Sequence, residues 1–123
     1  MTLNDTLNHI IDDGIEAARL DYPKPGDILK REGSIAGFEA CRGKSPAEIA
    51  ALLAEANERA RQAMLERDPR YWFWRCRAAE IELTANVLSN IMQAQGWPPI
   101  GTMTARGAMK AAEIIGVKEI TAP

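Results

Sequence analysis

Four consecutive aromatic residues constrain the fold of this 123-residue chain more than any other feature. The run Tyr71–Trp74 opens the longest stretch of helical pattern, and Arg75 and Arg77 follow it closely. Successive residues of an α-helix are rotated by roughly 100°, so four in a row fan almost all the way round and cannot all enter one core. We therefore expect at least one large ring to face solvent, a second packing layer or a partner.

The length and composition favour one helical domain spanning residues 1–123. A chain of this size buries roughly two thirds of its unfolded surface, which is enough for one modest core. Few aromatic residues and many alanines favour helix over strand. The formal net charge of −2 argues against a general nucleic-acid binder, which is usually strongly basic.

Cysteine and histidine usage predicts a protein without a disulfide framework, metal site or cofactor. Cys41 and Cys76 form no CxxC pair, and His9 is the single histidine. We see neither a signal peptide nor an apolar run of the roughly 20 residues that span a bilayer. The sequence therefore predicts a soluble cytoplasmic protein with free thiols and no membrane association.

Hydrophobic periodicity predicts an all-α, compact bundle of about four helices. Capping boxes mark the first two of these helices, at Thr2 with Asp5 and at Ser45 with Glu48. The four predicted helices cover residues 3–20, 46–66, 69–95 and 104–115.

Two features of the predicted helices concern packing. Gly14 lies on the apolar stripe of the first helix, where it favours close approach of another helix. Glu55 and Arg59 have the i, i+4 spacing of a helical ion pair.

The long helix carries apolar residues on two sides, so we expect it either to be central or to use its second side for a homodimer. The first side is Trp74, Ala78, Ile81, Ala85, Leu88 and Met92; the second is Trp72, Cys76, Leu83, Val87 and Ala94; the polar strip between them is Arg75, Glu82, Asn86 and Gln93.

The segment 22–45 is predicted to be irregular because two prolines and four glycines interrupt it. It is either a packed loop with short helical turns or a binding loop, and the sequence leaves both open. Its basic residues are Lys24, Lys30, Arg31, Arg42 and Lys44.

Three patterns that suggest catalysis are weak. The stretch 37–45 resembles a phosphate loop, but five residues separate its glycines where the motif needs four. Cys41 beside Arg42 could have a lowered thiol pKa, although His9 is the only candidate base. His9 lies one helical turn from Asp5 and close to Asp12 or Asp13, an arrangement that is usually just solvated.

The leading hypothesis is a small non-enzymatic protein that binds another protein as a regulator, adaptor or inhibitor. Small proteins of this kind include ones encoded by mobile genetic elements, an association that rests on size and not on a motif. One alternative is a nucleic-acid-binding regulator that uses the same aromatic and basic residues, and a second is an enzyme built on Cys41 or His9. The predicted partner-binding residues are Tyr71, Trp72, Arg75, Arg77, Lys30, Arg31, Arg42 and Lys44.

Overall fold

The computed structural model of this chain describes residues 2–95, and these residues form an all-α bundle as predicted. A short 3₁₀ helix, Pro25–Asp27, precedes the second α-helix. The predicted helix 104–115 lies outside the described residues. The four α-helices are α1 (Leu3–Asp21), α2 (Ile28–Ala40), α3 (Pro46–Leu65) and α4 (Tyr71–Ala94).

Both predicted capping boxes are confirmed. At the start of α1, the backbone N–H of Asp5 donates to Oγ1 of Thr2 over 3.1 Å, and Thr2 N–H donates to the Asp5 carboxylate over 3.0 Å. Ser45 and Glu48 make the same reciprocal pair before α3. Each box satisfies amides that the first helical turn leaves without an intrahelical acceptor.

The segment predicted to be irregular instead contains α2, a continuous helix of 13 residues. Gly33 and Gly37 do not break it, although each costs roughly 1 kcal/mol relative to alanine in a helix interior. The two glycines are four residues apart and therefore lie on one face of α2. That face is buried against α4.

The contact between α2 and α4 brings backbone against backbone. A Cβ added to Gly33 would lie 2.9 Å from the Cα of Phe73, and one added to Gly37 would lie 2.5 Å from the carbonyl oxygen of Arg77. Gly37 follows Gly33 along α2 just as Arg77 follows Phe73 along α4, so the two helices run parallel. Only residues without a side chain allow this approach.

The remaining helices pack antiparallel to this pair. Gly14 of α1 accepts the ring of Phe38 from α2, which confirms that Gly14 permits close packing. Glu55 of α3 meets Arg77 of α4. One end of the bundle therefore gathers the end of α1, the start of α2, the end of α3 and the start of α4. We call this the Trp72 end, and it comprises residues 15–37 and 55–77.

A Schellman motif ends α3. The N–H of Asp68 donates to the carbonyl of Ala63 over 2.9 Å, and the N–H of Arg67 donates to that of Met64 over 3.3 Å. The residue that closes such a motif adopts a left-handed conformation and is usually glycine. Here it is Arg67, with φ of 53°. This conformation costs a residue with a Cβ on the order of 1 kcal/mol.

The first apolar side of α4 forms the core as predicted, since Ile81, Ala85 and Leu88 are almost completely buried. On the second side, Val87 is fully buried and Leu83 packs against the core, whereas Trp72 and Ala94 are exposed. A homodimer through this face therefore stays a prediction. Asn86, expected on a polar strip, is also buried.

None of the helices within residues 2–95 combines the length and the apolar character needed to cross a bilayer.

Replacing Gly33 with alanine should destabilise the fold by about 1–3 kcal/mol, because the added methyl group must push α2 away from α4. At an unconstrained helical position the same change stabilises by up to about 1 kcal/mol. Urea unfolding of Gly33→Ala measures the effect. The matched control is Gly26→Ala, whose added Cβ meets nothing within 4 Å. Equal stability of both variants would contradict the close backbone contact.

Candidate functional site

The four consecutive rings divide between the core and the surface. Trp72 keeps 51% of its surface exposed, whereas Trp74 packs against the hydrophobic core. Tyr71 and Phe73 are half-buried. We predicted that at least one large ring faces solvent, a second packing layer or a partner, and in the structure the ring of Trp72 faces solvent.

Trp74 is held between α3 and α4. The guanidinium carbon of Arg59 lies 4.2 Å from the centre of its ring, and Phe73 meets it edge-on at 4.9 Å. Its indole N–H is buried without a hydrogen-bond partner in residues 2–95, so packing and cation–π contact hold the ring. Trp74 therefore belongs to the fold.

Trp72 lies at the junction of α4 and α2. Nζ of Lys30 lies 4.8 Å from the centre of its ring, and Tyr71 meets it edge-on at 5.2 Å. The parallel packing of α2 and α4 places Lys30 there, because it aligns the starts of the two helices. The structure thus brings together three predicted partner-binding residues.

The large hydrophobic residues that are exposed within residues 2–95 all lie at the Trp72 end. Each occupies the last turns of α1 or α3 or the first turn of α2 or α4. They are Leu20, Ile28, Met64, Leu65 and Trp72. Three of these flank a single connection, the α3–α4 hairpin. We call residues 64–75 the hairpin tip.

Ion pairs fix several arginines of the Trp72 end inside the protein. Arg77 keeps 16% of its side chain exposed and donates to Glu55 over 3.0 Å, joining α4 to α3. Arg59 pairs with Asp68 at 3.2 Å. The predicted pair of Glu55 with Arg59 is therefore wrong, because each residue has a partner on another segment. Arg77 serves the fold more than an external contact.

Arg75 differs from these arginines because it is exposed and makes no ion pair with residues 2–95. Arg67, at the left-handed position of the loop, is likewise exposed and makes no ion pair with residues 2–95. Arg70 stacks on Phe73, with 4.4 Å from its guanidinium carbon to the ring centre. The hairpin tip therefore presents arginines beside exposed apolar residues.

The other predicted basic residues lie elsewhere. Arg31 donates to the backbone carbonyl of Tyr22 over 3.1 Å and ties the α1–α2 connection. Arg42 and Lys44 follow the end of α2, about 18 Å from Lys30 at 1.5 Å per helical residue. Arg42 there joins Asp12 at 2.7 Å. The eight predicted residues therefore do not form one surface.

Lys44 lines a separate cleft of about 480 Å³ between the starts of α1 and α3. Both helix N-termini at this cleft are already satisfied by their own carboxylates, Asp5 and Glu48. Hydrogen bonds from the capping residues hold the pKa of each of these carboxyls below its usual range. An incoming anion would meet these negative charges.

The sequence allowed a lowered pKa for the Cys41 thiol, but the structure raises it. Cys41 is fully buried, and burial raises its pKa to about 11. It donates to the carbonyl of Gly37 at 3.5 Å within α2. Burial also raises the pKa of the half-buried Cys76. Nothing in this geometry favours thiolate chemistry at neutral pH.

Two acidic neighbours of His9 are used in other contacts. Asp5 belongs to the capping box and Asp12 pairs with Arg42. Within residues 2–95, no group of three or more histidine, cysteine or acidic residues is placed to hold a metal ion.

Sequence reasoning missed three members of the hairpin tip. Met64 continues the apolar spacing of Ala56 and Ala60 in α3 but is 56% exposed, and Leu65 is 64% exposed. The buried side of α3 ends at Ala63, which is fully buried. No signal in the sequence marks Arg67, since glycine is the usual residue at this position.

Comparison with models of protein families, with characterised proteins and with solved structures gave no significant match. A function for the protein must therefore be inferred from the exposed residues and charges of its surface.

The two tryptophans should respond differently to truncation. Trp74→Ala should lower the free energy of unfolding by about 3 kcal/mol or more, because it opens a cavity at the core. Trp72→Ala should cost about 1 kcal/mol, since it removes a half-exposed ring and one cation–π contact. Chemical denaturation of both variants makes the comparison. A larger loss for Trp72→Ala would show that Trp72 is structural.

Cys41 should resist alkylation in the folded protein. In Cys76→Ser, where Cys41 is the single thiol, iodoacetamide at pH 8 should react at least 100-fold more slowly than in 6 M guanidinium chloride, because the native thiol is buried and protonated. Mass spectrometry over time gives both rates. Rapid native labelling would restore Cys41 as a candidate nucleophile.

Proposed function

We propose that the protein acts by binding another protein through its hairpin tip, as a regulator, adaptor or inhibitor. The observation that carries this proposal is the half-exposed ring of Trp72, which lies beside Lys30 and Tyr71 at an end of the bundle that exposes other large apolar residues. Tryptophan, tyrosine and arginine are the residues that most often dominate the energy of protein interfaces. All three occur in the hairpin tip.

The distribution of apolar residues supports the same proposal. Single exposed hydrophobic residues are normal on any protein, but their concentration at one end is typical of an interaction site. The described part of the opposite end exposes none of comparable size. The binding surface would therefore be an end of the bundle rather than a groove along its side.

The mechanism we propose is steric. Trp72 would insert into an apolar pocket of the partner, with Met64 and Leu65 packing around its rim. The rigid backbone contact between α2 and α4 supports this because it fixes Lys30 against the ring before binding. A side chain held in place loses less entropy when the complex forms.

Nucleic-acid binding receives less support from the same geometry. Arg59, Arg61 and Arg77 each pair with a carboxylate of the chain, so these cations are not available to phosphates without breaking internal contacts. Arg31 is bound to a backbone carbonyl. Nuclease treatment in the experiment below separates this alternative from protein binding.

Site-specific photo-crosslinking tests the proposal. Benzoylphenylalanine replaces Trp72 in one variant and Ala51, an exposed residue of α3 at the opposite end, in a control. Irradiation in lysate of the source organism should yield a discrete protein adduct at position 72 and none at position 51. The adduct should survive nuclease treatment.

Competition decides whether the adduct is specific. A tenfold excess of unmodified protein should suppress crosslinking at position 72, whereas the same excess of Trp72→Ala should suppress it at least tenfold less well, given the usual cost of losing an interface hot spot. Equal competition by the two proteins, or equal adducts at both positions, would contradict the proposal. Loss of the adduct after nuclease treatment would favour the nucleic-acid alternative.

A further inference from the structure

Arg67 has a left-handed backbone conformation, which is unfavourable for a residue with a side chain. It closes the Schellman motif of α3 with a φ of 53°, where glycine is the usual residue. Its side chain is exposed and makes no hydrogen bond or ion pair with residues 2–95, so no contact within this region offsets the strain. Non-glycine residues in strained conformations concentrate at functional sites.

The hairpin tip carries cations beyond those that the fold uses. On the side of the bundle formed by α3 and α4, three acids form ion pairs with arginines of the chain. The pairs are Glu55 with Arg77, Glu58 with Arg61 and Asp68 with Arg59. Glu66 remains as the single acid outside these pairs in residues 55–77. In the same residues, three arginines of the tip lie outside these pairs, and they are Arg67, Arg70 and Arg75.

Across all the described residues, positive charge is again concentrated at the Trp72 end. The Trp72 end has ten lysines and arginines against eight acids, a formal charge of +2. The other described residues, 2–14, 38–54 and 78–95, have two basic residues against seven acids, a formal charge of −5. Residues 2–95, which are acidic overall, thus concentrate their positive charge at the end where their large apolar residues are exposed.

We infer that the partner segment recognised by the hairpin tip is an acidic polypeptide segment carrying apolar side chains. This inference rests on the proposed function and specifies the chemistry of the ligand at that same site. Apolar side chains of the segment pack on Trp72, Met64 and Leu65. Its carboxylates meet Arg67 and Arg75, whose guanidinium groups match a carboxylate in geometry.

Designed peptides supply the probe. We use a fluorescently labelled 18-residue peptide with leucines on one helical face and glutamates on the other. A second peptide has lysine in place of each glutamate, and a third keeps the glutamates but has alanine in place of each leucine. Fluorescence anisotropy against the full chain should show that the glutamate–leucine peptide binds at least tenfold more tightly than either other peptide.

Variants locate the binding to the tip. Arg67→Gly and Arg75→Gln should each weaken binding of the glutamate–leucine peptide about threefold to tenfold, while Trp72→Ala should weaken it at least tenfold. The matched control is Gln93→Glu, which changes the net charge by the same single unit at the opposite end and should leave affinity within twofold. Raising NaCl from 50 to 500 mM should weaken binding by the wild type more than by Arg67→Gly.

Arg67→Gly separates binding from folding. Because glycine suits the left-handed position, this variant should keep or raise the urea midpoint of unfolding while its affinity falls. A lower midpoint together with unchanged affinity would show that Arg67 has a structural role and would overturn the inference.

The results with the three peptides distinguish this inference from the proposed protein-binding function on which it rests. If the lysine–leucine peptide binds as well as its glutamate counterpart, the acidic preference is wrong, while Trp72-dependent binding still supports an apolar docking site. If no peptide binds but position 72 crosslinks a competed protein, the inferred chemistry fails and the protein-binding function stands. Preferential binding of a single-stranded DNA oligonucleotide over the glutamate–leucine peptide would overturn the inference in favour of phosphate recognition.

Discussion

The backbone contact between α2 and α4 is the constraint on which the rest of this structure depends. Gly33 and Gly37 let the two helices approach until the missing methyl groups would collide with the backbone of Phe73 and Arg77. Because these helices run parallel, their first turns meet, and Lys30 comes to lie over Trp72. The candidate site is therefore a consequence of a packing contact about one helical turn away.

Much of the fold was predictable because its signals are local. Capping boxes and the apolar stripe of α1 depend on residues within one or two turns of one another, and the structure confirms them. The helix α2 was missed because two glycines and the prolines before it oppose helix formation locally. Contact with α4 offsets that cost, and a single sequence does not show which helix will lie there. The spacing of the glycines by four residues was the signal available.

The candidate site was predictable only in part, for a similar reason. Four rings on successive helical positions must point in different directions, so exposure of one ring followed from geometry alone. Which arginines remain available depends on long-range pairing. Arg77 is used by Glu55, 22 residues away, and Arg42 by Asp12, 30 residues away. The same competition removed the local pair predicted between Glu55 and Arg59.

The hairpin tip is also where local and global preferences disagree, and that disagreement carries functional meaning. Elsewhere in the described chain, the capping boxes and the buried stripe of α1 agree with the fold around them, as expected for a sequence that specifies one structure. At the tip, a large ring and two leucine-sized side chains face solvent, and an arginine takes a glycine's position. Stability alone would favour burying or shortening each of these side chains. Their presence in one short connection is most simply explained if a binding partner supplies the missing contacts, since sites that serve function are where folding preferences are most often overridden.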